Sequence, residues 1–291
     1  LNLVWKKSSF YKYILPLVIV YTIFTFVPIV VSLYYSLTNF SGFGKYDYVG
    51  LKNFGLAFTD RFLWKAFGNT FLYAVLTLTA VTPLSFLMAL AIQKKSVKTG
   101  IYRVIYFLPY TLGGAIVALM WRFIFDPNMG ILNYVLRMLG ISTDKLLWIG
   151  GPSLSPVSFS VITIWALSGF CMILWTNGLK QIAGDIIEAS VIDGATKSQQ
   201  VFLVMLPNMK STIQTVLILI YTTALKLFDY VYILTSGGPN HASESIVSYM
   251  YNMTFGSRLY GYGSAIAVIE LIVAVTGSLL IIWAVNGKAG K

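Results

Sequence analysis

The sequence predicts an all-α, polytopic membrane protein of about six transmembrane helices, and three features carry that expectation. Of its 291 residues, 57% are hydrophobic and only 11% are charged, where a soluble domain carries about a quarter. The apolar residues come in six long blocks, each near or above the roughly 20 residues that cross the hydrocarbon as a helix. The charges collect between the blocks.

The first block covers residues 14–37 and follows Lys6, Lys7 and Lys12. It is longer than the apolar core of a secretory signal peptide. Tyr34 and Tyr35 near its end suit a membrane interface, so it reads as an uncleaved spanning helix. The remaining blocks cover 69–92, 101–125, 157–178, 211–235 and 263–286. Pro28, Pro83 and Pro109 fall within or near the ends of blocks. Membrane helices tolerate such prolines because neighbours re-satisfy the freed carbonyls. With no visible repeat, low-complexity tract or soluble domain, residues 1–291 read as one transmembrane domain.

Basic residues set the expected orientation. With six spans both termini share a side, and if that side is cytoplasmic the inner segments hold twelve Lys and Arg. These are Lys6, Lys7, Lys12, Lys94, Lys95, Lys98, Arg103, Lys180, Lys197, Lys210, Lys288 and Lys291. The outer segments hold eight: Lys45, Lys52, Arg61, Lys65, Arg122, Arg137, Lys145 and Arg258. The excess predicts cytoplasmic termini. It also accounts for the formal charge of +11 without nucleic acid as a partner, since anionic lipid surfaces favour such residues. On the outer side, residues 126–156 form a long connection that could carry a short helix near Ile131–Leu139.

The connection 179–210 is long, cytoplasmic in this arrangement, and reads as helical. It contains Glu188-Ala189-Ser190-Val191-Ile192-Asp193-Gly194-Ala195 and, further on, Leu206-Pro207. These residue types fit a short helix, a tight turn and a second helix. Ala favours the helix, Gly194 can take the left-handed conformation that ends one, and Pro207 breaks the chain before the fifth span. Small residues at 189, 190 and 195 admit another backbone closely, while Glu188 and Asp193 project charge. The residues alone leave two readings open, a docking knob or a solvated amphipathic helix.

The segment resembles the EAA loop of binding-protein-dependent ATP-binding-cassette (ABC) importer permeases, E-A-A-x-x-x-G with Leu-Pro downstream. It is particularly similar to the form in the carbohydrate-uptake branch with its maltose- and glycerol-phosphate-type permeases, E-A-A-x-x-D-G-A. Ser190 stands where that pattern has a second Ala. The resemblance extends to Tyr48-Val49-Gly50-Leu51-Lys52-Asn53-Phe54, to Asn69-Thr70 at the second span, and to Thr235-Ser236-Gly237-Gly238-Pro239 after the fifth. It implies a type I ABC importer permease fold in a bacterial plasma (inner) membrane. It also implies a second, distinct permease subunit, two ATPase subunits that bind the ATP and Mg, and an extracytoplasmic solute-binding protein. The ATPase-coupling residues would be Glu188, Ala189, Ser190, Asp193, Gly194 and Ala195. Glu188 would pair with a basic residue of an ATPase cleft, and Gly194 would allow the turn. The implied cargo is a sugar or oligosaccharide.

Within the blocks, Lys226 and Asp229 lie three apart in the fifth, which predicts one shared helical face. Thr222 joins that face, and Tyr230 is adjacent. Lys226 lies about 22 Å along the helix from Ser211, past the midplane. Glu270 is a further acid, in the sixth block. Thr222, Lys226, Asp229, Tyr230 and Glu270 are candidates for a substrate path. The alternatives are a structural Lys226–Asp229 pair or a link to the partner permease. Trp165 and Trp175 could stack on a sugar, or pack and anchor.

Other classes find little support. No G-x-x-x-x-G-K-[ST] loop occurs, so the chain itself is not expected to hydrolyse ATP or to hold a cofactor. His241 is the single histidine and Cys171 the single cysteine, which argues against a metal site and excludes an internal disulfide. An intramembrane enzyme would need clustered acids, histidines or a nucleophile. An ABC permease for a non-carbohydrate solute, or an ion-coupled secondary transporter, is the alternative function. The latter leaves the loop 179–210 unexplained.

Overall fold

The computed structural model describes residues 7–93, 97–143 and 146–287. Lys6, Lys94, Lys95, Lys145, Lys288 and Lys291 of the orientation argument lie outside the described residues, and only the backbone is described at Lys7, Lys12 and Lys98. Among the described residues five helices are long and apolar enough to cross a membrane, or six if one sharply bent pair counts as a span. Among the described residues the only β-structure is an isolated bridge between Thr38 and Tyr48. The chain divides into two compact units, residues 1–60 with 250–271, and residues 61–249 with 272–291.

The first unit opens with α1 (Lys7–Tyr21), a π-turn at Thr22–Phe26 and α2 (Val27–Tyr35). Together they carry the span Ile14–Tyr35, whose apolar window is 0% buried. Beyond α2, the side-chain amide of Asn53 on α3 (Lys52–Thr59) donates to the carbonyls of Ser36 and Thr38, at 2.9 and 2.8 Å. A buried amide thereby stops the span and fixes the loop that follows. The unit closes with a π-turn at Asn252–Gly256 and the first part of α14 (Tyr260–Gly287). The Gly261 N–H donates to the Phe40 carbonyl, and the Tyr262 hydroxyl donates to Asp60 Oδ2 at 2.6 Å.

The second unit is built around α8 (Ser155–Gln181), whose apolar window is 56% buried. It packs against α4 (Arg61–Ala91), α5 (Val97–Thr111) and α12 (Lys210–Leu225). Small residues allow these approaches. A Cβ on Gly169 would collide with the Tyr106 carbonyl of α5, and one on Gly178 with the Thr212 side chain of α12. Trp175 is buried and donates its indole N–H to Ser85 Oγ on α4 at 3.1 Å. It is a core residue, which removes it from the sugar-stacking candidates. Between Asp126 and Pro156 the short helix expected from sequence is present as α7 (Ile131–Met138).

Two apolar blocks are not straight helices. The third is α5 followed by α6 (Gly114–Ile124), bent by 98°. Gly113 is extended there, with φ −63° and ψ 144°, and a Gly-Gly step is where a helix gives way most easily. The fifth breaks between α12 and α13 (Asp229–Thr235). The Leu227 carbonyl, freed by that break, accepts the Ser245 hydroxyl at 2.6 Å, as a polar backbone group at membrane depth requires. The shared helical face expected for Lys226 and Asp229 is therefore corrected: no continuous helix joins them.

Candidate functional site

The segment 179–210 forms a structured knob. Its first helix, α9 (Gly184–Ile192), ends in a Schellman turn. The Ala195 N–H donates to the Ser190 carbonyl and the Gly194 N–H to the Val191 carbonyl, at 2.9 and 3.0 Å. Gly194 has φ +77°, a region that costs a side-chain-bearing residue about 1–2 kcal/mol. Thr196 and Gln199 then form a capping box that starts α10 (Lys197–Gln199). A π-turn at Gln200–Met205 and α11 (Leu206–Asn208), with Pro207 at its start, complete the segment.

The side chains of the knob divide by environment. Glu188, Ala189 and Asp193 are exposed, as is Gly194. Ser190 is buried, with its hydroxyl donating to the Ile187 carbonyl at 2.6 Å, and Ala195 is half-buried. Val191, Ile192, Phe202 and Leu203 are also exposed, Ile192 by 86%. Sequence reasoning missed these four. Their signal was an apolar run inside a polar connection, at positions where a solvated helix would carry charge. A cavity of about 250 Å³ lies under the knob, lined by Thr176, Leu179 and Lys180 of α8 together with Ile187 and Met205.

A second constellation lies where the two interrupted blocks meet. A cavity of about 220 Å³ is lined by Pro109, Tyr110 and Gly114 from the α5–α6 bend, and by Thr223, Lys226, Asp229 and Tyr230 from the α12–α13 break. The structure thus brings Lys226, Asp229 and Tyr230 to one cavity, though by a break and not by a helical face. Lys226 and Asp229 are both exposed to it and form no ion pair with each other. Thr222 is not among the lining residues. Its hydroxyl donates back to the Ile218 carbonyl at 2.8 Å, and Thr223 takes the place at the wall. Glu270 is half-buried on α14 and belongs to the other compact unit. Tyr110, stacked on Phe170 with ring centroids 4.3 Å apart, is an aromatic wall residue that the sequence did not mark.

The motif after the fifth span is tied to the second. The Asn69 amide donates to the carbonyls of Ala242 and Glu244, and the Tyr73 hydroxyl to that of Ser243, at 3.0, 2.9 and 2.7 Å. The Ile246 N–H donates to Thr70 Oγ1 at 3.0 Å. His241 meets the buried Glu244 carboxylate through Nδ1. Ser243 in turn bonds the Thr235 hydroxyl and the Gly238 carbonyl, each at 2.8 Å, so Asn69-Thr70 and the Thr235–Pro239 turn are joined through residues 242–246.

Residues 81–286 match the family described as binding-protein-dependent transport system inner membrane component. The chain belongs to this family. It is a multi-pass permease of the bacterial inner membrane type, and the matched region contains both the knob and the cavity. It is 30% identical over 273 residues to the probable ABC transporter permease protein YurN of Bacillus subtilis, covering 93% of each chain. It is also 30% identical to the diacetylchitobiose uptake system permease protein NgcF of Streptomyces coelicolor, covering 93% of this chain and 80% of that one. With the multiple sugar-binding transport system permease protein MsmF of Streptococcus mutans the identity is 30%, over 92% and 91%. Among solved structures, a bacterial ABC transporter that imports the acidic polysaccharide alginate is similar in fold. Its TM-score is 0.80 at 23% identity, covering 97% of this chain and 96% of that one.

Proposed function

We propose that this permease forms half of the translocation path of an ABC importer for a sugar or oligosaccharide, with a second, distinct permease supplying the other half. Two ATPase subunits hydrolyse ATP, and a solute-binding protein delivers cargo from outside. The termini and the knob face the cytoplasm. The observation that carries this reading is the knob itself. Its rigid Schellman turn presents Glu188, which has no ion or hydrogen-bond partner among the described residues, beside exposed Ile192, Phe202 and Leu203. A knob that exposes both a carboxylate and apolar side chains suits a cleft with a basic residue and a greasy wall. The sugar assignment is supported by the diacetylchitobiose, multiple-sugar and trehalose/maltose systems to which relatives belong.

Mechanically, closing of the ATPase pair would carry the two knobs together. The knob rests on the end of α8, the most buried of the spanning helices. A small rigid-body shift there is transmitted to the packed helices and not absorbed. The solute would pass the cavity beside Lys226, where an ammonium and the Tyr230 and Tyr110 rings offer a donor and stacking faces to hydroxyl-rich cargo.

The test is purification from native membranes, followed by ATP hydrolysis assays with candidate oligosaccharides and the cognate binding protein. Co-purification of ATPase subunits and stimulation by a saccharide are expected. A chain that purifies alone and moves solute without nucleotide would refute the proposal.

A further inference from the structure

Asp229 and Lys226 stand differently in the cavity. Asp229 is the first residue of α13, and its side chain lies against Gly114, the first residue of α6. A methyl group on Gly114 would overlap Asp229 Oδ2 and stand 2.8 Å from Cγ. One carboxylate therefore sits at the amino ends of two helices. Helix amino ends carry partial positive charge, and a carboxylate there is stabilising. Lys226, on the far side of the break, opens to the same cavity and makes no ion pair with Asp229. Gly114 follows the extended Gly113, so the place where the carboxylate seats is also the place where the α5–α6 bend is made.

From this geometry we infer that Asp229 is a positioning residue: its carboxylate pins the α5–α6 bend to the start of α13, so that the two interrupted spans move as one, and Lys226 is left as the charge that meets the solute. The bearing on transport rests on the solute-path reading given above. The pinning itself does not, because it exists before any solute binds. Rotation of α6 away from α13 would take the carboxylate from one amino end or the other. Gly114 is the complementary half of the clasp, since any larger residue displaces Asp229 from beneath.

Amide hydrogen exchange of the assembled, solute-free transporter in lipid nanodiscs tests this directly. Asp229→Ala and Gly114→Ala should speed exchange at the amides of residues 113–117 by about tenfold, the scale of one charge lost from two helix ends. Asp229→Asn, with the same shape and no charge, should give an intermediate change. Lys226→Met should leave exchange there as in the parent. In uptake assays with whichever candidate oligosaccharide stimulates ATP hydrolysis in the test above, the Asp229 and Gly114 variants should lower the maximal rate while the half-saturating concentration stays within about twofold. Lys226→Met should do the reverse. Parent-like exchange in Asp229→Asn and Gly114→Ala overturns the inference, whether or not Asp229→Ala assembles. So does an Asp229 variant that raises the half-saturating concentration with exchange unchanged, which would make the carboxylate a solute ligand. A chain that carried a different solute would leave the exchange result standing.

Discussion

The knob at 179–210 and the cavity beside Lys226 are built by opposite means. In the knob every defining bond is local: Ala195 to Ser190, Gly194 to Val191, Thr196 to Gln199. Its working side chains point outward and its backbone conformation is dictated by one glycine at φ +77°. In the helices around the cavity the defining contacts join distant segments, Gly114 to Asp229 on its wall and Gly169 to the Tyr106 carbonyl where α8 meets α5. There the glycines serve close approach and not turn formation. Similar residue types mark the two regions, yet a Cβ at Gly194 would meet nothing within 4 Å while one at Gly114 or Gly169 would strike a neighbouring segment. Substitution is therefore expected to spare the fold in the first case and disturb it in the second.

That contrast can be broken or sharpened by substitution. The largest effect is expected at Gly169→Leu, which drives a side chain into the Tyr106 carbonyl. Backbone separation of α5 and α8 should cost about 3 kcal/mol or more, read as loss of monodisperse protein after detergent extraction. Trp175→Phe is next. It removes the indole bond to Ser85 and part of a buried ring system, a loss of about 1–3 kcal/mol that should show as a lower unfolding midpoint with assembly retained. Gly194→Val strains the turn by about 1–2 kcal/mol. It should spare the transmembrane fold, measured by the same midpoint, while abolishing solute-stimulated ATP hydrolysis, and Glu188→Arg should match it in the second readout. Should Gly194→Val lower the yield of folded protein as far as Gly169→Leu, the contrast between the two regions would collapse.

The smallest expected effect lies outside both regions and depends on pH. Asp126, in the connection after α6, accepts the N–H groups of Met129 and Asn128 at 2.8 and 2.9 Å. These bonds favour the carboxylate and hold its pKa below the usual aspartate value. The sign follows: the stabilisation is present above the ordinary range near about 3.9 and is lost as pH falls through the lower folded value. Exchange protection of the Asn128 and Met129 amides should therefore persist at pH 5 to 7, roughly, and fade only below the ordinary range. In Asp126→Asn it should be insensitive to pH over the same window.

Several parts of the protein were legible beforehand because they depend on neighbours in sequence. The apolar blocks, the short helix near residues 131–138 and the helix-turn organisation around Gly194 all follow from runs and turn residues. The motifs Asn69-Thr70 and Thr235–Pro239 were legible too, but as separate marks. Only the fold shows that Asn69 holds the loop after Pro239 in place. Lys226 and Asp229 were recognised as costly charges, while their common helical face was not real. Three residues of spacing imply a face only if the helix continues, and nothing local in Leu225–Phe228 announces that it stops.

What the sequence by itself determined is therefore that about six apolar helices are present and that the segment 179–210 folds as a helix–turn–helix knob. Length, hydrophobicity and short-range hydrogen bonding suffice for those. Tertiary structure alone decided which spans are broken, which face of Gly114 and Gly169 another backbone meets, and where the carboxylate of Asp229 rests. A glycine in an apolar run looks the same whether it faces lipid, a turn or a neighbouring carbonyl, because the thing that distinguishes these cases is the surface brought against it from far along the chain.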